Sequence, residues 1–139
     1  MPTKTRLDRV VNVRERSEET ALQDLARAQS SRDLAASRLA GLRLQARADD
    51  RAPGVAELWV LEEFAHLQTL RRVQHAETDL ASAQRKEQLA RSGYTVAHRS
   101  AEVVRRAQGK KRAELDADRE RRERKALDEL ATLRFNAKR

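Results

Sequence analysis

Three histidines, His66, His75 and His98, are the side chains best suited to bind a metal or move a proton near neutral pH. No two of them stand four residues apart. Glu63 and His66 have the Glu-x-x-His spacing of a carboxylate-bridged di-iron site, but such a site needs two of these pairs and further carboxylates. A zinc site needs more ligands than one pair supplies. The chain has no cysteine, which removes thiol catalysis and disulfide scaffolds and agrees with a reducing compartment. Its four glycines, at positions 41, 54, 93 and 109, are too scattered to form a phosphate-cradling loop. No serine sits in a nucleophile elbow. The histidines are therefore read as solvated helix residues. Neither enzyme activity nor a metal or cofactor is expected.

The remaining chemistry is charge. Thirty basic residues face 22 acidic ones, for a net charge of +8. This suits an acidic protein, nucleic acid or an anionic membrane, without choosing among them. Arg105, Arg106, Lys110, Lys111 and Arg112 form a basic run that could touch phosphates. No aromatic residue interleaves the run for base stacking, and no nucleic-acid module matches. A solvated or protein-binding face is the better reading, and no nucleic-acid partner is expected.

The elements that carry these residues follow from composition. Of 139 residues, 37% are charged and only 3% aromatic: Trp59, Tyr94, Phe64 and Phe135. Glycine and proline together number six. So few bulky residues cannot close a compact core, and the turn punctuation of an all-β fold is missing. The surplus of Arg, Ala, Leu, Glu and Gln favours long helices. No apolar run is long enough to span a membrane, and no secretory signal is visible at Met1, so a soluble cytosolic chain is expected.

Two stretches alternate steps of three and four. The first passes through Leu7, Val11, Arg14, Glu18, Ala21, Leu25, Ala28, Arg32, Ala35, Leu39, Leu42 and Ala46; nine of the twelve are apolar. The second passes through Val73, Ala76, Leu80, Ala83, Glu87, Ala90, Tyr94, Ala97, Ala101, Val104, Gln108, Lys111 and Leu115; ten of the thirteen are apolar. A 3.5-residue repeat means a seam wound against a partner helix. Alanine is frequent in both seams. Close approach is therefore possible, but each layer buries little, and length must compensate.

Between the seams stands Pro53-Gly54, the only Pro-Gly in the chain. It marks a bend over 49–54. The expected fold is an all-α, monomeric, antiparallel two-helix hairpin, with helix 1 over about 5–48 and helix 2 over about 55–135. Folding about a centre near residue 52 sets Leu7 opposite Ala97 and leaves almost forty residues of helix 2 without a partner. In that overhang, residues 116–125 have Ala117 as their only apolar side chain and depend on pairs such as Glu120–Arg124. Apolar residues return at Leu127, Leu130, Ala131, Leu133 and Phe135. Gly93 and Gly109 are read as tolerated inside the helix. The bulkiest apolar cluster, Trp59, Leu61, Phe64, Leu67 and Leu70, covers more of the helix circumference than one seam needs, so it serves either to staple the bend or as a docking surface.

The C-terminal stretch, residues 122–135, resembles the end of the flagellar export protein FliJ family. The resemblance rests on a charged helix, the element Lys125-x-x-Asp128-Glu129, then Ala131 and the basic-aromatic pair Arg134-Phe135. The segment from Phe64 through His66 to Leu70 resembles that family's aromatic-then-leucine opening of helix 2; here His66 stands where the family often has an aromatic. The hairpin, the longer second helix and the chain length agree.

The resemblance implies a non-enzymatic stalk for type III export of flagellar proteins, lodged at the cytoplasmic face of the membrane. Its termini-bearing end would enter a hexameric export ATPase through Arg119, Arg122, Glu123, Lys125, Leu127, Asp128, Glu129, Leu130, Arg134 and Phe135. A second surface, formed by Trp59, Phe64, Leu67, Leu70 and Val73, would bind the membrane export gate. Export chaperones are further implied partners. Two alternatives stand beside it: a basic coiled coil for nucleic acid or an acidic scaffold, and the stalk of an injectisome-type system.

Overall fold

The computed structural model describes residues 4–48 and 56–138. They form two helices, α1 (Leu7–Arg47, 41 residues) and α2 (Ala56–Ala137, 82 residues), which pack against each other as an all-α hairpin. The expected bend at 49–54 lies outside the described residues. Ahead of α1, Asp8 reaches back to Thr5: the Thr5 backbone N–H donates to Oδ2 at 3.1 Å and the Thr5 hydroxyl to Oδ1 at 2.7 Å. A carboxylate in the first turn of a helix thus satisfies a donor the helix itself cannot reach. Gly93 and Gly109 stand inside α2, neither has positive φ, and the helix passes through both without a break.

The seams read from the sequence are the buried faces. Every seam position except Arg14 and Lys111 is buried or half-buried. The most enclosed are Val11, Leu39, Ala76, Ala101 and one carboxylate, Glu87. The core is thus a line of mostly small side chains, and polar bonds across the seam set which residues face each other.

The chain divides into two compact units. One takes in both chain ends, up to Glu18 and from Val96; the other is Glu19–Thr95. In the first, the Asp8 carboxylate accepts from Gln108 Nε2 at 2.6 Å and from Arg112 Nη2 at 3.1 Å. Glu18 there bonds His98 Nδ1 at 2.6 Å and is paired with Arg105, which also reaches Glu15 at 3.2 Å. In the second unit, Arg32 Nη1 donates to both oxygens of Glu87, and Arg43 pairs with Glu77 at 2.9 Å.

These bonds correct the expected register. Asp8 is level with Gln108 and Arg112, so Leu7 lies far beyond Ala97 along α2. The unpartnered end is therefore shorter than almost forty residues. Exposure is continuous only over residues 116–138, a length of about 34 Å. At the other end of the seam, Arg43 against Glu77 sets Arg47 level with Val73, so residues 56–72 extend past the last turn of α1. The cause is seam matching. A short connection favours the tightest bend, but the apolar and charged layers meet their partners only when the first seam is laid end to end on the second.

Candidate partner-binding surfaces

Cross-helix electrostatics hold the scaffold on which the surfaces stand. The Asp8 carboxyl is held well below the usual carboxylate range, first by the Thr5 hydroxyl, then by the Gln108 amide, the Thr5 backbone N–H and Arg112. Glu18 is also lowered, chiefly by the hydrogen bond from His98, with Arg105 second. Arg105 is pushed up by Glu102, Glu15 and Glu18. Arg32 is raised, first by Asp33 at 2.7 Å and then by Glu87. Sequence reasoning misses these roles. It makes His98 a solvated side chain and Arg105 and Arg112 part of a basic face, yet all three join α2 to α1. The seam's charged and polar exceptions are the available signal: Glu18 and Arg32 on one helix, Glu87 and Gln108 on the other.

The C-terminal surface is the bare end of α2. All ten residues singled out there, from Arg119 to Phe135, are exposed. The charged stretch is braced along its own helix by Arg119–Glu123 at 3.0 Å, Arg124–Glu120 at 3.7 Å and Arg121–Asp118 at 3.7 Å. Exposed pairs like these contribute a few tenths of a kcal/mol each to helix stability. Leu127, Leu130, Leu133 and Phe135 follow, each more than half exposed. Four large apolar side chains displayed within nine residues form a surface suited to burial against another molecule.

The second surface lies at the start of α2. Trp59, Phe64, Leu67 and Leu70 are exposed, as are Leu58, Val60 and Leu61. Val73 differs: it is half-buried and belongs to the seam. The cluster is thus largely displayed and does not serve as a core.

The net charge is unevenly placed. The unit with both chain ends carries nineteen basic and eleven acidic residues, whereas Glu19–Thr95 carries eleven of each. The whole excess of +8 therefore lies in the unit that carries the bare helix end. Among the described residues there is no group of three or more potential metal ligands, and no helix is long and apolar enough to cross a membrane.

Against protein families, residues 3–139 match the family described as Flagellar FliJ protein. No curated protein and no solved structure gives a match.

Proposed function

The chain belongs to the FliJ family of flagellar export components, and on that premise we propose that it is a non-enzymatic stalk whose C-terminal end lodges in a hexameric export ATPase while the start of α2 engages the membrane export gate. The observation that carries this reading is the bare end of α2. Residues 116–138 are exposed throughout, yet they end in four large apolar side chains. A helix without a partner is poorly supported in isolation and gains from enclosure by another protein. Arg119, Arg122, Glu123, Lys125, Asp128, Glu129 and Arg134 would set orientation and approach through charge. Leu127, Leu130 and Phe135 would anchor it. The excess positive charge of the unit with both chain ends suits an acidic partner and would steer that unit toward it.

The exposed cluster of Trp59, Phe64, Leu67 and Leu70, with Val73 at its edge, supports a separate engagement of the gate. Two surfaces at different places on α2 suit a linker between two machines. Export chaperones would compete for the same apolar residues. The working stalk is a single chain, peripheral to the membrane. The test is capture of the purified ATPase hexamer and of the gate's cytoplasmic part by the intact chain. Both should bind, and changing Leu127, Leu130 and Phe135 to serine should abolish capture of the ATPase alone. Retention of neither partner would remove the reading. Binding that instead falls steeply with salt on any nucleic acid would favour the basic-coiled-coil alternative.

A further inference from the structure

On the face of α2 turned away from the seam, Glu57, Val60, Phe64, Leu67 and Arg71 follow one another in steps of three, four, three and four. All five are exposed, Val60 at 70%, Phe64 at 61% and Leu67 at 48%. The side of the helix in line with Val73 carries instead the half-buried Thr69, His66 and Glu62. The outer row is thus a second heptad stripe of about 21 Å, on a part of α2 that extends past the end of α1.

The stripe is charge-complementary to its own reverse. Phe64 is its midpoint. Glu57 and Arg71 stand seven residues to either side of it, one acidic and one basic, and Val60 and Leu67 fill the positions between. Laid antiparallel on itself about a two-fold axis through Phe64, it sets Glu57 of each copy against Arg71 of the other. Val60 comes within about 1.5 Å of the level of Leu67, one residue's rise, and the two Phe64 side chains meet at the axis. An isologous interface needs this self-complementarity, and opposed helix directions add favourable dipoles. Laid parallel, like charges would meet at both ends of the stripe. Trp59 and Leu70 on one flank and Leu61 on the other are exposed and would extend the interface.

We propose that a second copy of this chain docks on the stripe, giving an antiparallel dimer centred on Phe64. The interface has three apolar layers per chain and two ion pairs, so it is reversible and forms at high protein concentration. If the gate surface is as proposed above, Phe64 and Leu67 are shared, and the paired chain is the form not engaged with the gate. That consequence rests on the functional reading; the dimer itself does not.

The test uses the full chain in sedimentation velocity over a wide concentration range. The mass should rise from 15.9 kDa toward twice that value. Phe64→Glu should remain at the single-chain mass with an unchanged circular dichroism spectrum, because Phe64 is exposed. Glu57→Arg and Arg71→Glu should each weaken association about tenfold, the double variant should restore it, and only an antiparallel two-fold predicts that restoration. Phe64→Cys, in a chain with no other cysteine, should oxidise to a covalent dimer. A single-chain mass at every concentration would overturn the proposal, and would do so equally if that monomer bound the gate through Phe64, which gives the stripe to the gate. A dimer that survives Phe64→Glu, or a double swap no better than either single one, would also overturn it. Loss of ATPase stimulation bears on the functional reading alone.

Discussion

Arg32 of α1 donates through one nitrogen to both carboxylate oxygens of Glu87 of α2, at 3.1 and 2.9 Å, and Arg91 holds the same carboxylate at 2.9 Å. Glu87 is 5% exposed and stands in a line of alanines and leucines. Sliding the helices by one heptad would set Arg32 against Leu80 or Tyr94 and leave Glu87 among apolar layers. The pair therefore specifies register, a known use of polar residues in coiled-coil seams. Arg32→Ala should lower the urea midpoint, with Arg91 limiting the loss. Glu87→Leu should stay within about 1 kcal/mol of the parent but loosen the register. Spin labels at Ser37 and Ser82 should report one narrow distance in the parent and a broadened distribution in Glu87→Leu. Equal widths would remove the register role.

Asp8 gathers Thr5, Gln108 and Arg112 on one carboxylate. Its folded pKa lies below the unfolded value, so the stabilisation is fully present above about pH 4 and is lost as pH falls toward the folded value. Protection factors for hydrogen exchange in the first turns of α1, taken relative to the intrinsic rate at each pH, should fall below about pH 4 in the parent. Asp8→Asn should show that low protection already at neutral pH, with little further change in the protection factor on acidification. An unchanged exchange rate in Asp8→Asn would show that the cluster does not hold the end of α1.

Gly93 and Gly109 have helical backbones, and nothing lies within 4 Å of where a Cβ would stand. Replacing either with alanine should therefore stabilise the hairpin by about 0.5–1 kcal/mol, by removing backbone freedom from the unfolded chain. Thermal or urea unfolding measures this directly. A loss of stability at either site would mean that the helix needs a break there.

Helix type and buried face were legible because 3.5-residue spacing survives even where alanine replaces leucine: Ala76 and Ala101 are among the most buried residues. The register is harder to read, because Pro53-Gly54 draws attention to chain connection, which constrains alignment weakly. The information is present in the seam ends. The first seam closes at Ala46 and the second opens only at Val73, so those two residues have to be neighbours in level. The polar bonds of His98 and Arg105 are hidden because a charge in a helix looks the same whether it faces water or a partner. At the start of α2, Trp59, Phe64, Leu67 and Leu70 were legible as a cluster too wide for one seam. Val73 looks like part of that cluster, although its spacing places it in the buried line.

The cluster at the start of α2 should be dispensable for folding. Trp59→Ser with Leu70→Ser should change stability by no more than about 1 kcal/mol, since neither side chain is buried: they are 54% and 40% exposed. Their removal should reduce capture of the gate's cytoplasmic part while leaving ATPase stimulation intact. Titration calorimetry against that part and a turnover assay with the hexamer separate the two. Undiminished gate binding would take the surface out of the account.

The central claim is that the bare end of α2 is the part that acts on the ATPase. Residues 121–138 are exposed throughout, so removing the chain after Glu120 should leave the hairpin intact. The decisive measurement is turnover by the purified export ATPase hexamer in the presence of this truncated chain, beside its circular dichroism spectrum and melting curve. The account predicts a helical protein with an unchanged midpoint and no stimulation above the ATPase alone. Stimulation equal to that given by the full chain would contradict it.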